Sequence, residues 1–370
     1  MMQISPETQL FIREHSSDDV RVLALQAKKY PDIDMPTAIT QIAGRKVAAE
    51  KIPSWWEIEK IWYPKHLSLE QCSSEITARY KARLLQGDSL TDLTGGFGID
   101  CSFLATGFKS ATYVERQEEL CEIAAHNFPV LNLNHINIKN EDGVTYLQVM
   151  SPVDSLFLDP ARRNEHGGKT VAISDCEPNV AELEELLLQK ANRVMIKLSP
   201  MLDLSLALKE LKQTQEVHIL SVNNECKELL ILLGQTSPAE ISIHCVNLFT
   251  KGTQKEQHFV FTREQEQCSE CTYTDSLETY LYEPNASLLK AGAFRSIAAA
   301  YPVRKLHPNS HLYTSDTFIE NFPGRIFRIV NQCSFNKKEV KENLADLKKA
   351  NVTVRNFPAT VAELLSLIHI

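Results

Sequence analysis

The sequence predicts an open α/β fold with a mainly parallel sheet, preceded by a helical region and followed by small α+β units. Three observations carry that expectation. From Ser89 onward, short apolar segments alternate with segments of helical period, as successive βαβ units require. One apolar segment, residues 90–93, runs directly into the glycine-rich turn Gly95-Gly96-Phe97-Gly98. Residues 229–233 follow a tight-turn pair, Asn223-Asn224, and are placed to return antiparallel beside residues 217–222.

Taken in order, residues 1–86 read as helical. Ser68-Leu-Glu-Gln71 has capping-box form, and residues 75–85 form a helical segment ended by Gly87. Trp55, Trp56 and Trp62 are expected to be packing anchors. The strands of the α/β part are expected at 90–93, 111–115, 155–159, 193–198 and 217–222. Helices are expected at 99–108, 117–127 and 179–191, the last capped by Asn179 with Leu183, Leu186 and Leu187 on one face. Beyond Pro284 the units are smaller: a helix at 287–300, a strand at 325–330, a charged helix at 337–350 and a strand at 352–356. The chain thus divides into a helical region (1–86), an α/β domain (87–265) and two small domains (280–324 and 325–370). It ends in Leu-Leu-Ser-Leu-Ile-His-Ile without a cap or polar tail, so the last domain is expected to be incomplete.

Composition narrows the class. A chain of 370 residues exceeds one compact core, and 43% hydrophobic with 23% charged residues is the balance of a folded globular protein. No apolar run reaches the ~18 residues of a membrane helix, and the N-terminus has no basic patch followed by an apolar stretch. Nine scattered cysteines then read as reduced thiols of a cytoplasmic protein. Cys268 and Cys271 have metal or redox spacing but lack a second pair, so an incidental pair is the simpler reading and no metal is expected. The net charge of −8 is uneven: residues 285–355 hold 12 Lys/Arg against 5 Asp/Glu. That basic part could dock a polyanion, or could be a solvated face without a partner.

The chemistry concentrates at the ends of the expected strands. Asp92 and Thr94 lead into Gly95, Gly96 and Gly98, where backbone N–H groups can approach a ligand. A dinucleotide site needs G-x-G-x-x-G, a spacing this turn lacks, which disfavours an NAD oxidoreductase. Asp92 is placed to accept from the ammonium of an amino-acid-like ligand, a group S-adenosylmethionine (SAM) has and NAD lacks. Glu115, 23 residues after Asp92, can accept from ribose hydroxyls, and Asp142 from an adenine amino group. Each has a plain alternative: a helix-capping Asp92, and surface carboxylates at 115 and 142. Asp159 ends an apolar strand and is positioned as hydrogen-bond acceptor or general base toward a methyl-accepting group. Pro160 fixes the chain direction, and residues 164–169 could form a lid. Arg162 and Arg163 would suit a phosphate or carboxylate, or could hold that lid against the acidic body.

With these motifs in place the sequence resembles the class I SAM-dependent methyltransferases. Asp92-x-x-Gly-Gly-x-Gly98 is similar to their first motif, Glu115 to their second-strand acid, Asp142 to the adenine-side acid and Asp159-Pro160 to the fourth motif. Four segments resemble, more closely, a Bacteroidetes-type family: Gln71-Cys-Ser-Ser-Glu75 running on to Lys81, Asp159-Pro-Ala-Arg-Arg163, Ser174-Asp-Cys-Glu-Pro178 and Asn224-Glu-Cys-Lys-Glu228. That family joins a methyltransferase domain to ferredoxin-like and THUMP-like domains. The resemblance implies a Rossmann-like SAM-methyltransferase sheet, S-adenosyl-L-methionine as cofactor and RNA (tRNA or rRNA) as acceptor, held by the basic C-terminal part. Two departures count. Ala161 and Arg162 stand where base-amino methyltransferases place a second Pro and a base-stacking aromatic. No Cys follows Pro160, which argues against cytosine-C5 chemistry. A small-molecule methyltransferase, or a non-catalytic RNA-binding protein that retains the fold, are the alternatives.

Overall fold

The computed structural model describes residues 4–162, 172–236, 238–334, 336–345, 349–355, 357–358 and 360–368. The chain divides into two compact units. One comprises Met1–Val217 with Glu228–Ala239, the other His218–Lys227 with Glu240–Ile370.

The strands in chain order are β1 (Ser89–Asp92), β2 (Ser110–Glu115), β3 (Ile136–Asn140), β4 (Val153–Leu158), β5 (Ala161–Arg162), β6 (Cys176–Glu177), β7 (Ala191–Leu198), β8 (Thr214–Val222) and β9 (Glu225–Gly234). In the first unit the ladder runs β3-β2-β1-β4-β7-β9-β8, with β8 contributing its first residues. Strands β3, β2, β1, β4 and β7 run parallel to one another, and β9, which follows the Asn223-Asn224 turn and lies between β8 and β7, is antiparallel to β7. Both turn residues have positive φ. The centre of the sheet is closed on both faces. Residues 155–158 of β4, 194–198 of β7 and 228–234 of β9 are all buried, the near-continuous apolar run of a strand covered on two sides. Lys197 and Glu228 are the charged residues in those runs.

Three helices of the α/β part fall where the sequence places them, as Ile99–Ala105, Glu118–Val130 and Val180–Lys190. Asn179 caps the third by accepting from Ala181 N at 3.2 Å. The N-terminal region differs in detail. A helix spans His66–Gln71 with Lys65 before it, so Ser68 lies inside the helix and the capping box does not form. The next helix is Glu75–Ala82, ending before Gly87, whose φ is +133°. Nor is this region a separate body. Ala48, Ile52, Trp55, Ile61, Tyr63, Leu69 and Ala78 share one core with Phe97, Ile99, Phe103 and Ile123. Trp55 meets Phe97 edge-on at 5.2 Å, and Trp62 lies flat on His126 at 3.7 Å. Those two are the packing anchors expected; Trp56 is exposed, with Arg45 beside its ring.

In the second unit the end of β8 lies beside β10 (Ser242–Leu248), which pairs antiparallel with β11 (Glu256–Thr262). A separate antiparallel sheet follows, in the order β13-β14-β12-β15, from β12 (Tyr280–Pro284), β13 (Arg304–His307), β14 (Ser310–Ser315) and β15 (Gly324–Arg328). The helix expected at 287–300 is two, Ala286–Ala291 and Ser296–Ala300, because Gly292 turns left-handed (φ +79°) and ends the first. The charged helix is Lys337–Leu344. Residues 352–355 form no strand, although burial alternates along them; Asn356 lies outside the described residues. Alternation alone does not make a strand where no ladder partner is supplied. A helix at Val361–Ile368, not expected from the sequence, follows. Among the described residues no helix is long and apolar enough to cross a membrane.

Candidate functional site

The carboxyl ends of β1, β2, β4 and β7 lie in the first unit, and the candidate residues sit there. Thr94, Gly95, Gly96 and Gly98 form the turn between β1 and the helix Ile99–Ala105. Glycine is required at two positions for separate reasons. A Cβ on Gly95 would collide with the Tyr113 ring, and Gly98 starts the helix at φ +86°, a conformation other residues adopt at a cost. The turn is pinned from β2: Gly95 N donates to Val114 O at 2.8 Å and Tyr113 Oη to Gly96 O at 2.5 Å.

Asp92 ends β1 at 1% exposure. Its Oδ1 accepts from Thr94 N at 2.9 Å, while Oδ2 is buried without a hydrogen-bond partner. Burial pushes its pKa up to about 8, against the backbone bond from Thr94; Asp100, Asp159 and Glu115 raise it further. A buried carboxylate oxygen without a donor is costly unless something brings one. An ammonium group supplies that donor, so the residues present fit the amino-acid end of SAM.

Glu115 closes the other side of the turn. Its Oε2 accepts from Gly96 N and its Oε1 from Gln117 N, each at 2.8 Å. Each oxygen keeps a second lone pair for a hydroxyl donor. Asp142 is exposed and caps the helix Gly143–Val149, its Oδ1 accepting from Val144 N and Thr145 N at 3.0 Å. The capping role raised as the plain reading of Asp92 therefore belongs to Asp142.

Asp159 follows β4. Its N–H donates to Thr94 Oγ1 at 2.6 Å, tying it to the glycine turn, and its carboxylate meets Lys197 Nζ at 2.5 Å. Burial raises its pKa above the usual carboxylate range, and the Lys197 ammonium opposes that shift. Pro160 is buried. Arg162 lies on β5, which pairs antiparallel with β6. Its side chain, Arg163 and the lid expected at 164–169 lie outside the described residues.

Behind Asp159 stands a buried charge network that the motifs did not reveal. Lys197 Nζ also reaches Ser73 Oγ at 3.0 Å and Asp100 Oδ2 at 3.3 Å. Lys81, fully buried, contacts Ser73 Oγ at 2.8 Å, Glu228 Oε2 at 2.7 Å and, as an ion pair outside hydrogen-bond geometry, Asp100 Oδ1 at 2.8 Å. Burial alone would raise the Asp100 pKa, but Lys81 and Lys197 together hold it well below the usual range. The signal was present as isolated charges inside apolar runs: Lys197 in β7, Asp100 in a helix whose seven residues are all buried, and Glu228 at the start of the buried part of β9.

The basic part of the second unit is more committed than its charge suggests. Lys305 is 2% exposed and donates to Pro308 O at 2.7 Å; burial lowers its pKa. Arg304 pairs with Glu278, and Arg325 and Arg355 with the buried Glu283. Arg295 and Arg328 are exposed.

Comparison with known proteins adds to this geometry. Over all of its length, and over 93% of the other chain, the protein matches the crystal structure of a "putative methyltransferase from Porphyromonas gingivalis W83", with 34% identity and a TM-score of 0.87. Family models for a ferredoxin-like domain and a THUMP domain-like module match residues 280–323 and 324–370. Two further matches are too distant to carry an argument. One is a modification subunit of a "putative type I restriction enzyme" from Vibrio vulnificus YJ016 (12% identity, TM-score 0.37, 54% of this chain and 56% of that one). The other is M. capricolum TrmK in complex with S-adenosyl-homocysteine (12% identity, TM-score 0.34, 44% and 68%). No curated protein matches the sequence.

Proposed function

We propose, from the premise that this chain belongs to the methyltransferase family with C-terminal ferredoxin-like and THUMP-like domains, that it uses SAM to methylate RNA. The observation that carries the cofactor assignment is Asp92, whose buried Oδ2 has no donor. Asp92 would hold the cofactor ammonium, Glu115 the ribose hydroxyls and Asp142 the adenine side, with Gly95, Gly96 and Gly98 keeping the wall low. When bound, the cofactor supplies an electrophilic methyl group on its sulfonium.

The acceptor side belongs to Asp159. Its side chain is 35% exposed, against 10% or less for Lys81, Asp100, Lys197 and Glu228, so it is the member of the network that can face a substrate. It would accept the proton that the acceptor atom loses. Lys197 keeps it oriented and favours its charged form. Pro160 directs the following chain, and Arg162 would meet a phosphate.

RNA as the acceptor is supported by the THUMP domain-like match and by the surface of β15. Phe327 is 44% exposed there with Arg325 against its ring, and Arg328 follows. Exposed aromatic and guanidinium planes are what unstacked bases and phosphates meet in single-stranded RNA. One observation favours a small-molecule acceptor instead: Arg304, Arg325 and Arg355 are neutralised internally and Lys305 is buried. Incubation with tritiated SAM and total RNA, followed by nucleoside analysis, separates the two. A labelled nucleoside is expected. Label confined to a small-molecule fraction would replace RNA as the acceptor.

A further inference from the structure

The buried groups behind Asp159 form a chain of alternating charge, and all of its members (Ser73, Lys81, Asp100, Asp159, Lys197 and Glu228) lie in the first unit. Glu228 meets Lys81 at 2.7 Å. Lys81 and Lys197 then share the Ser73 hydroxyl, at 2.8 and 3.0 Å, and take one oxygen each of Asp100, at 2.8 and 3.3 Å. Lys197 ends the chain on Asp159 at 2.5 Å, where it opens outward. Glu228 and Asp100 hold Lys81, which leaves Lys197 as the cation directly behind the exposed carboxylate.

The charge that an acceptor atom develops decides what this chain can assist. A ring or amino nitrogen gains positive charge as it attacks a methyl group, and an ammonium behind the proton acceptor opposes that. A hydroxyl is a poor nucleophile until its proton leaves, and its oxygen then gains negative charge. A carboxylate that takes the proton, with a fixed cation beside it, assists both changes. RNA offers such a hydroxyl on every ribose, next to a phosphate. The sequence after β4 agrees, since Ala161 and Arg162 stand where a flipped base would need a stacking aromatic. We infer that, given the RNA reading above on which this rests, the methylated atom is a ribose 2′-hydroxyl oxygen, with Asp159 as the general base and Lys197 as its positioning residue. The hydroxyl oxygen bonds the methyl carbon as the carbon–sulfur bond breaks, its electron pair going to sulfur, and the hydroxyl proton passes to the Asp159 carboxylate.

The product of the wild-type chain tests this without any variant. RNA labelled with tritiated SAM is hydrolysed in alkali, which cannot cleave beside a methylated 2′-oxygen. The label is expected in alkali-resistant dinucleotides and, after glycosidic cleavage, on the ribose. Label on a free base would overturn the hydroxyl assignment and keep the RNA reading, whereas RNA without label would overturn both. The positioning role has its own readout. Asp159 is under the charges of Lys197, Asp100, Lys81 and Asp92, and burial raises its pKa against the ammonium groups. Lys197→Met should therefore move the acid limb of the single-turnover pH profile to higher pH and slow transfer roughly 10²-fold. Its circular dichroism and its calorimetric affinity for S-adenosyl-homocysteine should not change. Lys197→Arg, which keeps the cation, should return the limb toward its wild-type position. An acid limb that stays in place in Lys197→Met would remove Lys197 from the step.

Discussion

Asp92 and Asp100 stand on either side of the same glycine turn, both buried, and the fold treats them in opposite ways. Asp100 is held by Lys81, Lys197 and Ser73, which keep it ionised. Asp92 has one backbone donor and one oxygen without any, and burial drives its pKa up to about 8. Burying a carboxylate with its partners builds a scaffold; burying one without them leaves a site that a cation can complete. Asp159 lies between these cases. It is anchored by Lys197 yet exposed on one side, which keeps a carboxylate oriented and reachable while burial raises its pKa.

Asp159→Asn should keep cofactor affinity but lower methyl transfer by ~10²–10⁴-fold in single-turnover assays. Full activity in that variant would take Asp159 out of the chemistry. Lys81→Met removes the ammonium shared by Asp100 and Glu228 and should cost about 3–5 kcal/mol in urea unfolding. A loss below about 1 kcal/mol would mean that the network is not coupled to stability.

Asp92 should behave in the reverse sense. Its folded pKa of about 8 lies above the ~3.9 of an unfolded aspartate, so between those values the native state holds a proton that the unfolded chain has lost. The stability contributed by this group is thus full at the acid end of that window and declines as pH rises through it. Asp92→Asn escapes the decline, so its melting temperature relative to wild type should rise by a few degrees from pH 5 to pH 9. A constant difference across that range would show that the carboxylate is already compensated.

The smallest effect concerns RNA. Arg295→Gln with Arg328→Gln should flatten the log–log salt dependence of RNA affinity by roughly 1.4, at about 0.7 per phosphate on single strands. Lys305→Gln should leave the slope unchanged because its ammonium is bonded inside. A slope reduced only by the Lys305 substitution would reverse that assignment.

The sequence revealed what depends on local pattern. The strand-turn-helix around Gly95, Gly96 and Gly98, the cap at Asn179 and the antiparallel return of β9 all follow from residue type and spacing. It did not reveal what depends on distant chain meeting in space. Lys81 and Glu228 are 147 positions apart, and nothing near either marks their contact. The same limit explains Lys305, which counts as a basic residue in sequence but is buried, its ammonium over the Phe294 ring and bonded to Pro308 O. Residues 352–355 fail for the complementary reason, since alternation predicts a strand but a ladder needs a neighbour.

Everything proposed for the cofactor side depends on Asp92 holding the ammonium group. Isothermal calorimetry of S-adenosyl-homocysteine with wild type and Asp92→Asn, both checked for folding by circular dichroism, tests it most directly. Loss of a charge-assisted bond worth ~1.5–3 kcal/mol should weaken binding roughly ten- to a hundred-fold. An unchanged dissociation constant would contradict the account and return Asp92 to the structural role that Asp100 plays across the turn.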